Sequence, residues 1–321
     1  MNDIIVCDIG GTNSRFACFS KKNDKKLQFK NELSETTNNY NSFEELLRSI
    51  KKTNIQYDPA NYNKFIVAVP GPVTHEDILA FPNVKWTIDR KKLRKFYPGV
   101  KIAFINDFIA QAFGCLTEAS ADASPIIGKT SRQKQNDIAI IGAGTATGHG
   151  ALKIIGSSGY LPLPSEAGHT PFPFITKTEL KFRDFLIKTN KATCPVCNDV
   201  VSGPGLSCLH QFFTGKSLLP SEVVKELSVD SETTQSFSKF YARSCKNYSL
   251  TVLGSGGELF ISGGVAIKNP FLVDNDFFRS EFKQCSTKVD ELLNNISVFL
   301  IRNERIGLWG SAYYGFEIVK Q

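Results

Sequence analysis

The chain has 321 residues, which at roughly 150 residues per domain favours two structural units. Hydrophobic residues make up 41% of it and charged residues 21%, which excludes a disordered or a fibrous chain. A net charge of +7, from 38 Lys and Arg against 31 Asp and Glu, favours anionic ligands without requiring nucleic acid. Every apolar stretch is shorter than the roughly 20 residues that span a bilayer, so we expect no membrane partner.

The eight cysteines are scattered, and several lie inside apolar segments, as is typical of reduced thiols in a cytosolic protein. The first residues run directly into an apolar strand without the pattern of a signal peptide, so we expect a cytoplasmic protein. Cys194 and Cys197 form a Cys-x-x-Cys loop, which has the ligand spacing of half a zinc site. Because a closed zinc site needs about four ligands and no second pair exists, a plain loop is the preferred interpretation.

Short runs rich in Val, Ile and Phe alternate with segments of helical periodicity, a pattern that predicts an α/β protein. The first predicted helix follows Ser42, an N-cap with Glu45 at the spacing of a capping box. Its apolar stripe consists of Phe43, Leu46, Leu47 and Ile50. A longer helix, buried along one side, is predicted over 237–252. The predicted strands are 4–7, 16–20, 65–69, 101–105, 137–141, 151–155, 258–261 and 298–301.

Segments 6–17 and 140–151 form a faint repeat, because both read strand, glycine turn, strand. At a constant offset, Asp8, Gly10 and Ala17 align with Gly142, Gly144 and Ala151. The match is too short to establish duplication. It predicts two similar α/β halves, each of which presents a glycine turn to a shared cleft.

The first glycine turn covers residues 8–12. Gly10 and Gly11 permit a positive φ or a close backbone approach, and successive backbone N–H groups there form a cradle for phosphate oxygens. Asp8 would repel a phosphate unless a cation intervenes, so it is interpreted as a Mg²⁺ ligand, through water. The alternative is a β-hairpin turn in which Asp8 only caps backbone amides.

The second turn, Gly142-Ala143-Gly144-Thr145, offers the same backbone donors without the carboxylate. It is not a GxxxxGK[ST] loop, because no lysine follows, and it does not complete the GxGxxG dinucleotide pattern. Two such turns in matching halves indicate two sets of phosphate contacts.

Asn106 and Asp107 follow an apolar strand at the position where open α/β sheets place ligands. A carboxylate there can accept a hydroxyl proton as general base, which contributes about 10²- to 10⁴-fold in rate. The alternative makes Asp107 the N-cap of the following helix, and both roles are compatible.

Two further polar or glycine-rich segments complete the set. Glu166 and His169 flank Gly168, an arrangement suited to several vicinal hydroxyls, although a lone histidine is more often structural. Gly263 and Gly264 follow another strand, where the bare backbone suits an adenine ring or close helix packing equally well.

In this order the segments resemble the bacterial glucokinase family, ATP-dependent hexokinases of the actin-like, ribonuclease-H-like ATPase superfamily. The resemblance covers nearly the whole chain. Its motifs are Asp8-Ile9-Gly10-Gly11-Thr12-Asn13, Pro70-Gly71-Pro72, Ile105-Asn106-Asp107-Phe108, Gly142-Ala143-Gly144-Thr145, Glu166-Ala167-Gly168-His169, Ser202-Gly203-Pro204-Gly205-Leu206, Ser262-Gly263-Gly264 and Leu308-Trp309-Gly310-Ser311-Ala312.

The resemblance implies that Asp107 takes the proton of the glucose 6-hydroxyl. It implies that the other substrate-binding residues are Asn83, Asn106, Glu166, His169 and Asn198, the last in place of a family glutamate. ATP and Mg²⁺ are the implied cofactors, with Asp8 as the metal ligand. The implied nucleotide-binding residues are Asp8, Gly10, Gly11, Thr12, Asn13, Gly142, Gly144, Thr145, Gly263 and Gly264.

The implied architecture is a two-domain actin-like ATPase fold with a central cleft, and the implied assembly is a homodimer. The smaller domain would comprise 1–108, completed by the C-terminal helix 307–321, and the larger domain 109–306. Two other hypotheses remain: a non-catalytic sugar or nucleotide sensor, and an ATPase whose output is domain motion. Asp107 argues against the sensor, whereas Asn106, Glu166 and His169 argue against the motion ATPase.

Overall fold

A computed structural model describes residues 3–21, 26–81, 84–132, 135–156, 159–190, 193–284 and 289–319. It divides the chain into two compact units, Met1–Ala121 with Arg305–Gln321 and Asp122–Glu304. The first unit therefore extends past the expected boundary at residue 108. The physical reason is the helix after Asn106, which packs against the C-terminal helix so closely that a Cβ on Gly310 would lie 1.6 Å from the Ala110 carbonyl oxygen.

The strands of the first unit are β1 (Asp3–Ile9), β2 (Asn13–Lys21), β3 (Leu27–Thr36), β4 (Lys64–Val69), β5 (Ile78–Leu79), β6 (Ile88–Asp89) and β7 (Lys101–Asn106). Five of them form a sheet of order β3-β2-β1-β4-β7, and β5 pairs with β6 in a separate two-stranded sheet. In the five-stranded sheet β1, β4 and β7 are parallel, β2 is antiparallel to β1, and β3 is antiparallel to β2. The helices are α1 (Phe43–Thr53), α2 (Arg90–Phe96) and α3 (Asp107–Gly114).

Helix α1 confirms its predicted cap and stripe. The Ser42 hydroxyl accepts the Glu45 N–H at 3.0 Å, and all four stripe residues are buried in the core of the unit. The capping box is modified, because the Glu45 carboxylate accepts the N–H of Asn41, one residue before the cap, at 2.7 Å.

The strands of the second unit are β8 (Ser124–Ile127), β9 (Ile138–Ala143), β10 (Thr147–Ile155), β11 (Gly159–Ser165), β12 (Gly257–Ser262) and β13 (Ile296–Leu300). They form a six-stranded sheet of order β11-β10-β9-β12-β13-β8, in which β9, β12 and β13 are parallel. The helices are α4 (Lys177–Asn190), α5 (Cys197–Val200), α6 (Gly203–Thr214), α7 (Pro220–Glu226), α8 (Glu232–Val252), α9 (Gly264–Lys268), α10 (Asp276–Lys283) and α11 (Asp290–Asn294). Helix α12 (Ile306–Tyr313) then returns to the first unit.

The eight predicted strands are confirmed as β1, β2, β4, β7, β9, β10, β12 and β13, with ends that differ by a few residues. Helix α8 confirms the long predicted helix, whose aromatic residues lie in the core of the second unit. No helix among the described residues is long and apolar enough to cross a membrane.

Candidate active site

Asn106 ends β7 and caps α3. Its Oδ1 accepts the N–H groups of Phe108 and Ile109, both at 3.0 Å, and its Nδ2 donates to the Gly71 carbonyl at 3.0 Å. Since β4 and β7 are parallel, this last bond joins the carboxyl ends of two neighbouring strands. The interpretation of Asp107 as the N-cap is wrong, because the structure gives that role to Asn106.

Asp107 is the first residue of α3 and is half-buried. Its Oδ1 accepts the Phe108 N–H at 2.9 Å and lies 3.2 Å from the Asn106 Nδ2. Both of these donors are chain neighbours of Asp107, so the start of the helix helps to orient the carboxylate. The carboxylate also lies where the helix dipole favours negative charge.

The first glycine turn is a hairpin that joins β1 to β2. The Gly10 N–H donates to the Asn13 carbonyl at 2.9 Å, and a Cβ on Gly10 would lie 3.0 Å from the same oxygen. Neither Gly10 nor Gly11 has a positive φ, so close backbone approach explains Gly10. The turn is braced by Thr37, whose hydroxyl donates to the Gly10 carbonyl at 2.8 Å and whose N–H donates to the Thr12 carbonyl at 2.9 Å.

Asp8 lies near the end of β1, half-buried among the residues of the first unit. Burial raises its pKa from 3.8 to about 6; Arg15 opposes the shift and Glu32 adds to it. Among the described residues no backbone amide donates to this carboxylate, in contrast to the capping interpretation. A nearby cation would relieve the cost of the charged form.

One carboxylate fits Mg²⁺, which commonly binds proteins through one or two carboxylates together with waters and substrate phosphates. Within the described part of the chain, no cluster of three or more His, Cys, Asp or Glu residues surrounds a common point. Cys194 is exposed, whereas the Cys197 thiol is buried 3.4 Å from the Ser244 hydroxyl. Burial raises the pKa of Cys197, which disfavours the thiolate that zinc needs.

The second glycine turn joins β9 to β10. The Gly144 N–H donates to the Ala146 carbonyl at 2.8 Å, and Thr145 is exposed at its tip. Gly142 lies inside the hairpin, buried opposite Gly148, and is therefore part of the strand.

Gly263 and Gly264 differ in their surroundings. Gly263 has φ +82°, and a Cβ there would lie 2.4 Å from the Ala143 carbonyl oxygen, so close packing accounts for this glycine. Gly264 begins α9, is exposed, and has open space around the place of a Cβ. Since β12 lies parallel to β9, these glycines lie at the carboxyl end of the parallel strands, as the second turn does.

Glu166 and His169 lie at the two ends of a single 3-10 turn after β11. Their side chains are 60% and 66% exposed, and the Glu166 Oε2 lies 3.9 Å from the His169 Nε2. Both side chains are thus close together and accessible. Gly168 between them is buried, and a Cβ there would lie 2.3 Å from the Thr147 carbonyl oxygen. The backbone of Gly168 therefore packs closely against β10.

Asn198 is half-buried in α5, and its Oδ1 accepts the Thr147 N–H at 2.7 Å. Asn83 lies outside the described residues. The candidate residues are divided between the two units: Asp8, Gly10, Gly11, Thr12, Asn13, Asn106 and Asp107 belong to the first, and Gly142, Gly144, Thr145, Glu166, His169, Asn198, Gly263 and Gly264 to the second.

A comparison with protein families matches residues 5–317 to the glucokinase family. The chain belongs to the glucokinase family. It is therefore an enzyme, a kinase, and the activity that its family supports is ATP-dependent phosphorylation of glucose.

Individual relatives agree with this family. The chain is 28% identical to a glucokinase of Trichormus variabilis over 97% of its own length and 98% of the relative's. It resembles the solved glucokinase of Balamuthia mandrillaris in complex with glucose, with TM-score 0.80, 19% identity and coverage of 97% and 93%. It also resembles a ROK family glucokinase of Streptomyces griseus in complex with glucose and AMPPNP, with TM-score 0.62, 15% identity and coverage of 97% and 98%. These likenesses show the two-domain actin-like ATPase fold.

Sequence reasoning missed the residues that hold the glucokinase motifs in place. The Thr37 hydroxyl holds the first turn, and the Gly71 carbonyl accepts a hydrogen bond from the Asn106 side-chain amide. Of these two residues, only Gly71 lies in a recognisable sequence motif, Pro70-Gly71-Pro72. In the second unit the Tyr241 hydroxyl accepts the Ala143 N–H at 3.1 Å from within α8. A buried tyrosine hydroxyl needs a partner, but the sequence does not show which.

Proposed function

We propose that this chain transfers the γ-phosphoryl group of ATP to the 6-hydroxyl of glucose, with Asp107 as the general base. The observation that supports it most is the local fixation of Asp107 at the carboxyl end of β7. One carboxylate oxygen receives the Phe108 N–H, so the carboxylate keeps one orientation toward an incoming hydroxyl. Orientation of this kind is the main contribution that phosphoryl transfer asks of a protein, because its transition state is loose.

Asn106 supports the base, and since its side-chain donors and acceptors are all used within the protein, we expect it to serve the sugar as a fixed contact surface beside Asp107. Its side chain is held at both ends by the α3 amides and the Gly71 carbonyl, so its position is rigid. A rigid amide next to the base would align the sugar without an additional entropic cost on binding. We expect the sugar to contact Asn106 and Asp107 in the first unit and Glu166 and His169 in the second.

The exposed pair Glu166 and His169 suits a ligand with vicinal hydroxyls. A carboxylate accepts from hydroxyl groups and an imidazole can donate or accept, so the pair can bind two adjacent sugar oxygens. The side-chain oxygen of Asn198 already accepts the Thr147 N–H. We therefore expect the amide nitrogen of Asn198 to donate to a sugar hydroxyl. Asn83 would add a further contact, as the family resemblance implies.

The nucleotide would be held by the two glycine turns. We expect the backbone N–H groups at Gly11, Thr12 and Asn13, and that of Thr145, to face phosphate oxygens. The N–H groups of Gly10 and Gly144 close the turns themselves, so these glycines would let the phosphates approach the backbone closely. Asp8 would hold Mg²⁺, which neutralises charge on the β- and γ-phosphates when bound. We expect the adenine ring to lie beside Gly263 and Gly264, chiefly against the backbone of Gly264, which has open space beside it.

A coupled assay for ADP with glucose, mannose, fructose and N-acetylglucosamine tests the proposal. We expect glucose to give the highest kcat/KM and the reaction to depend on both ATP and Mg²⁺. ATP hydrolysis without any dependence on sugar would favour the motion ATPase, and binding of glucose without product would favour the sensor. Light scattering on the same preparation tests the homodimer that the family resemblance implies.

A further inference from the structure

One segment of the second unit contacts both of its proposed ligand-binding turns. This connecting segment (residues 195–203) includes α5 and the start of α6. On the sugar side, the Phe172 N–H donates to the Pro195 carbonyl, and the Cys197 N–H donates to the Thr170 carbonyl, both at 3.0 Å. These bonds attach the segment immediately after the turn that carries Glu166 and His169.

The other end of the connecting segment holds the second glycine turn. The Gly203 N–H donates to the Gly144 carbonyl at 2.8 Å, and the Thr147 hydroxyl donates to the Val201 carbonyl. The nucleotide turn is therefore bonded to the connecting segment on both of its sides.

Asn198 lies in the middle of the segment and is in close contact with both turns. Its Oδ1 accepts the Thr147 N–H at 2.7 Å. A Cβ built on Gly168 would lie 2.5 Å from the same oxygen and 2.3 Å from the Thr147 carbonyl oxygen, so the sugar turn packs directly against this hydrogen bond. A shift of Thr147 cannot leave Gly168 in place, because protein interiors are close-packed and transmit such displacements.

We propose that Asn198 is a positioning residue that couples nucleotide binding at the 144–147 turn to sugar binding at the 166–169 turn. The proposal rests on the proposed function, which assigns the two ligands to these turns. When the nucleotide orders the glycine turn, the Thr147–Asn198 bond orders Gly168 and with it Glu166 and His169. The second ligand then binds to residues that are already in position, which is positive cooperativity.

The side chain at position 198 determines whether this coupling operates. A backbone N–H needs an acceptor, and Asn198 supplies it through a carbonyl oxygen. Asn198→Asp keeps an acceptor of the same length, whereas Asn198→Ala removes it and opens space above Gly168. The coupling should therefore survive the first substitution and fail in the second.

Isothermal titration calorimetry of glucose, with and without a saturating non-hydrolysable ATP analogue and Mg²⁺, measures the coupling. We expect the analogue to tighten glucose binding by about fivefold or more in the parent protein. In Asn198→Ala this ratio should fall to about one, and in Asn198→Asp it should stay near the parent value. An unchanged ratio in Asn198→Ala, or a ratio near one in the parent protein, would overturn the proposal.

Ser238→Ala is the matched control. It also removes buried hydrogen bonds of the second unit, because the Ser238 hydroxyl donates to the Leu272 carbonyl at 2.8 Å and accepts from the Asn275 amide at 2.8 Å, and neither partner belongs to the connecting segment. We expect it to lower stability and leave the ratio unchanged. If it lowered the ratio as much as Asn198→Ala, general loosening of the unit would explain both results and the proposal would fail.

Hydrogen exchange in the parent protein gives a measurement that does not depend on how the variants fold. Addition of the ATP analogue and Mg²⁺, without sugar, should slow exchange in peptides that cover 165–172. No change there, in a protein whose 142–148 peptides become protected, would contradict the coupling. By contrast, a parent protein that binds no glucose under any condition would contradict the proposed function itself.

Discussion

At the scale of single residues, the proposed catalytic base and its support are adjacent in the chain but have separate tasks. Asn106 makes the cap of α3 and the bond to Gly71, so it contributes to stability, whereas Asp107 can be replaced without removing either. Helix caps contribute about 0.5–2 kcal/mol to stability, so a substitution at position 106 would change both folding and activity. A substitution at position 107 tests activity alone.

Asp107→Ala should therefore lower kcat by about 10²- to 10⁴-fold while glucose still binds, because the substitution removes the proton acceptor and leaves the cap. Steady-state kinetics and calorimetry with glucose measure the two effects. Asp122→Ala, at an exposed position on the other unit, is the control and should behave as the parent protein. Near-normal turnover of purified Asp107→Ala would contradict the assignment of the base.

Asp8→Asn should have opposite effects on function and on stability. The folded pKa of about 6 lies above the ordinary 3.8, so the folded protein binds this proton more tightly than the unfolded chain does. The free energy of unfolding therefore decreases as the pH rises from about 4 to about 6, because the carboxylate becomes charged, and it stays at the lower value above about pH 6. Without ligands, the variant should resist urea better than the parent at about pH 7.5 and equally well at about pH 4.

In the assay, the same Asp8→Asn variant should need more Mg²⁺ and show a higher KM for ATP. Kinetic measurements over a range of Mg²⁺ concentrations, at fixed glucose, provide the comparison. A Mg²⁺ dependence identical to that of the parent protein would remove Asp8 from the metal site. A urea midpoint that drops at neutral pH would show that the buried charge is compensated by other groups.

The residue scale also shows what the sequence can reveal about the site. The Asn-Asp pair after an apolar strand indicated a polar strand end, but which of the two caps the helix depends on backbone angles that residue types do not specify. Asn and Asp are nearly equal as N-caps, so either assignment was open. Thr37 gave no signal, because a threonine far along the chain reaches the turn through the fold.

At the scale of elements, apolar strands were predictable, and three of the four strands at the edges of the two large sheets were not. Seven of the predicted strands lie inside these sheets and the eighth, β7, lies at an edge, whereas the unpredicted β3, β8 and β11 occupy the other three edges. Edge strands need not be apolar on both faces, and β3 alternates between exposed and half-buried residues. Strand β11 contains Pro162 and Pro164, which sequence reasoning takes as strand breakers and which an edge tolerates.

The two glycines after β12 allow a matched test of packing. Gly263→Ala places a methyl group 2.4 Å from the Ala143 carbonyl oxygen at a φ of +82°, so the end of β9 and the turn after it must move. We expect a loss of roughly 1–3 kcal/mol in unfolding free energy, together with a higher KM for ATP. Gly264→Ala meets open space, so its unfolding free energy should change by less than about 1 kcal/mol.

Urea unfolding and ATP titrations of the two variants separate packing from ligand contact. If Gly264→Ala raises the KM for ATP without a loss of stability, its exposed backbone faces the nucleotide. Equal stability of the two variants would contradict the packing argument, since the distances to Ala143 differ so strongly.

At the scale of the whole molecule, two units were predictable from length and from the two glycine turns, but their boundary was not. The boundary follows the α3–α12 packing, in which Cβ atoms on Gly114 and Gly310 would lie 2.2 Å and 1.6 Å from backbone oxygens of the opposite helix. Such a contact joins residues some 200 positions apart. The glycines in the Leu-Trp-Gly-Ser-Ala motif suggested a family resemblance, but nothing local in them identified the partner helix.

The two units should also respond to acid in opposite directions. His149 is buried in the second unit, its ring lies against Tyr248, and its Nδ1 has no hydrogen-bond partner among the described residues. Burial lowers its pKa from 6.5 to about 4. Between these values the unfolded chain binds the proton and the folded unit does not, so stability falls as the pH drops from about 6.5 to about 4, by up to about 3 kcal/mol.

Asp8 acts in the opposite direction in the first unit over an overlapping pH range, and the positions of the two tryptophans allow the effects to be read separately. Trp86 and Trp309 both belong to the first unit, whereas helices α4–α11, which dominate the circular dichroism, belong to the second. Between about pH 7.5 and about pH 5, the urea midpoint by circular dichroism should fall more than the midpoint by tryptophan fluorescence. His149→Gln should remove most of the fall in the circular-dichroism midpoint, because glutamine does not titrate. A circular-dichroism midpoint that still falls as much in this variant would show that another group of the second unit carries the acid sensitivity.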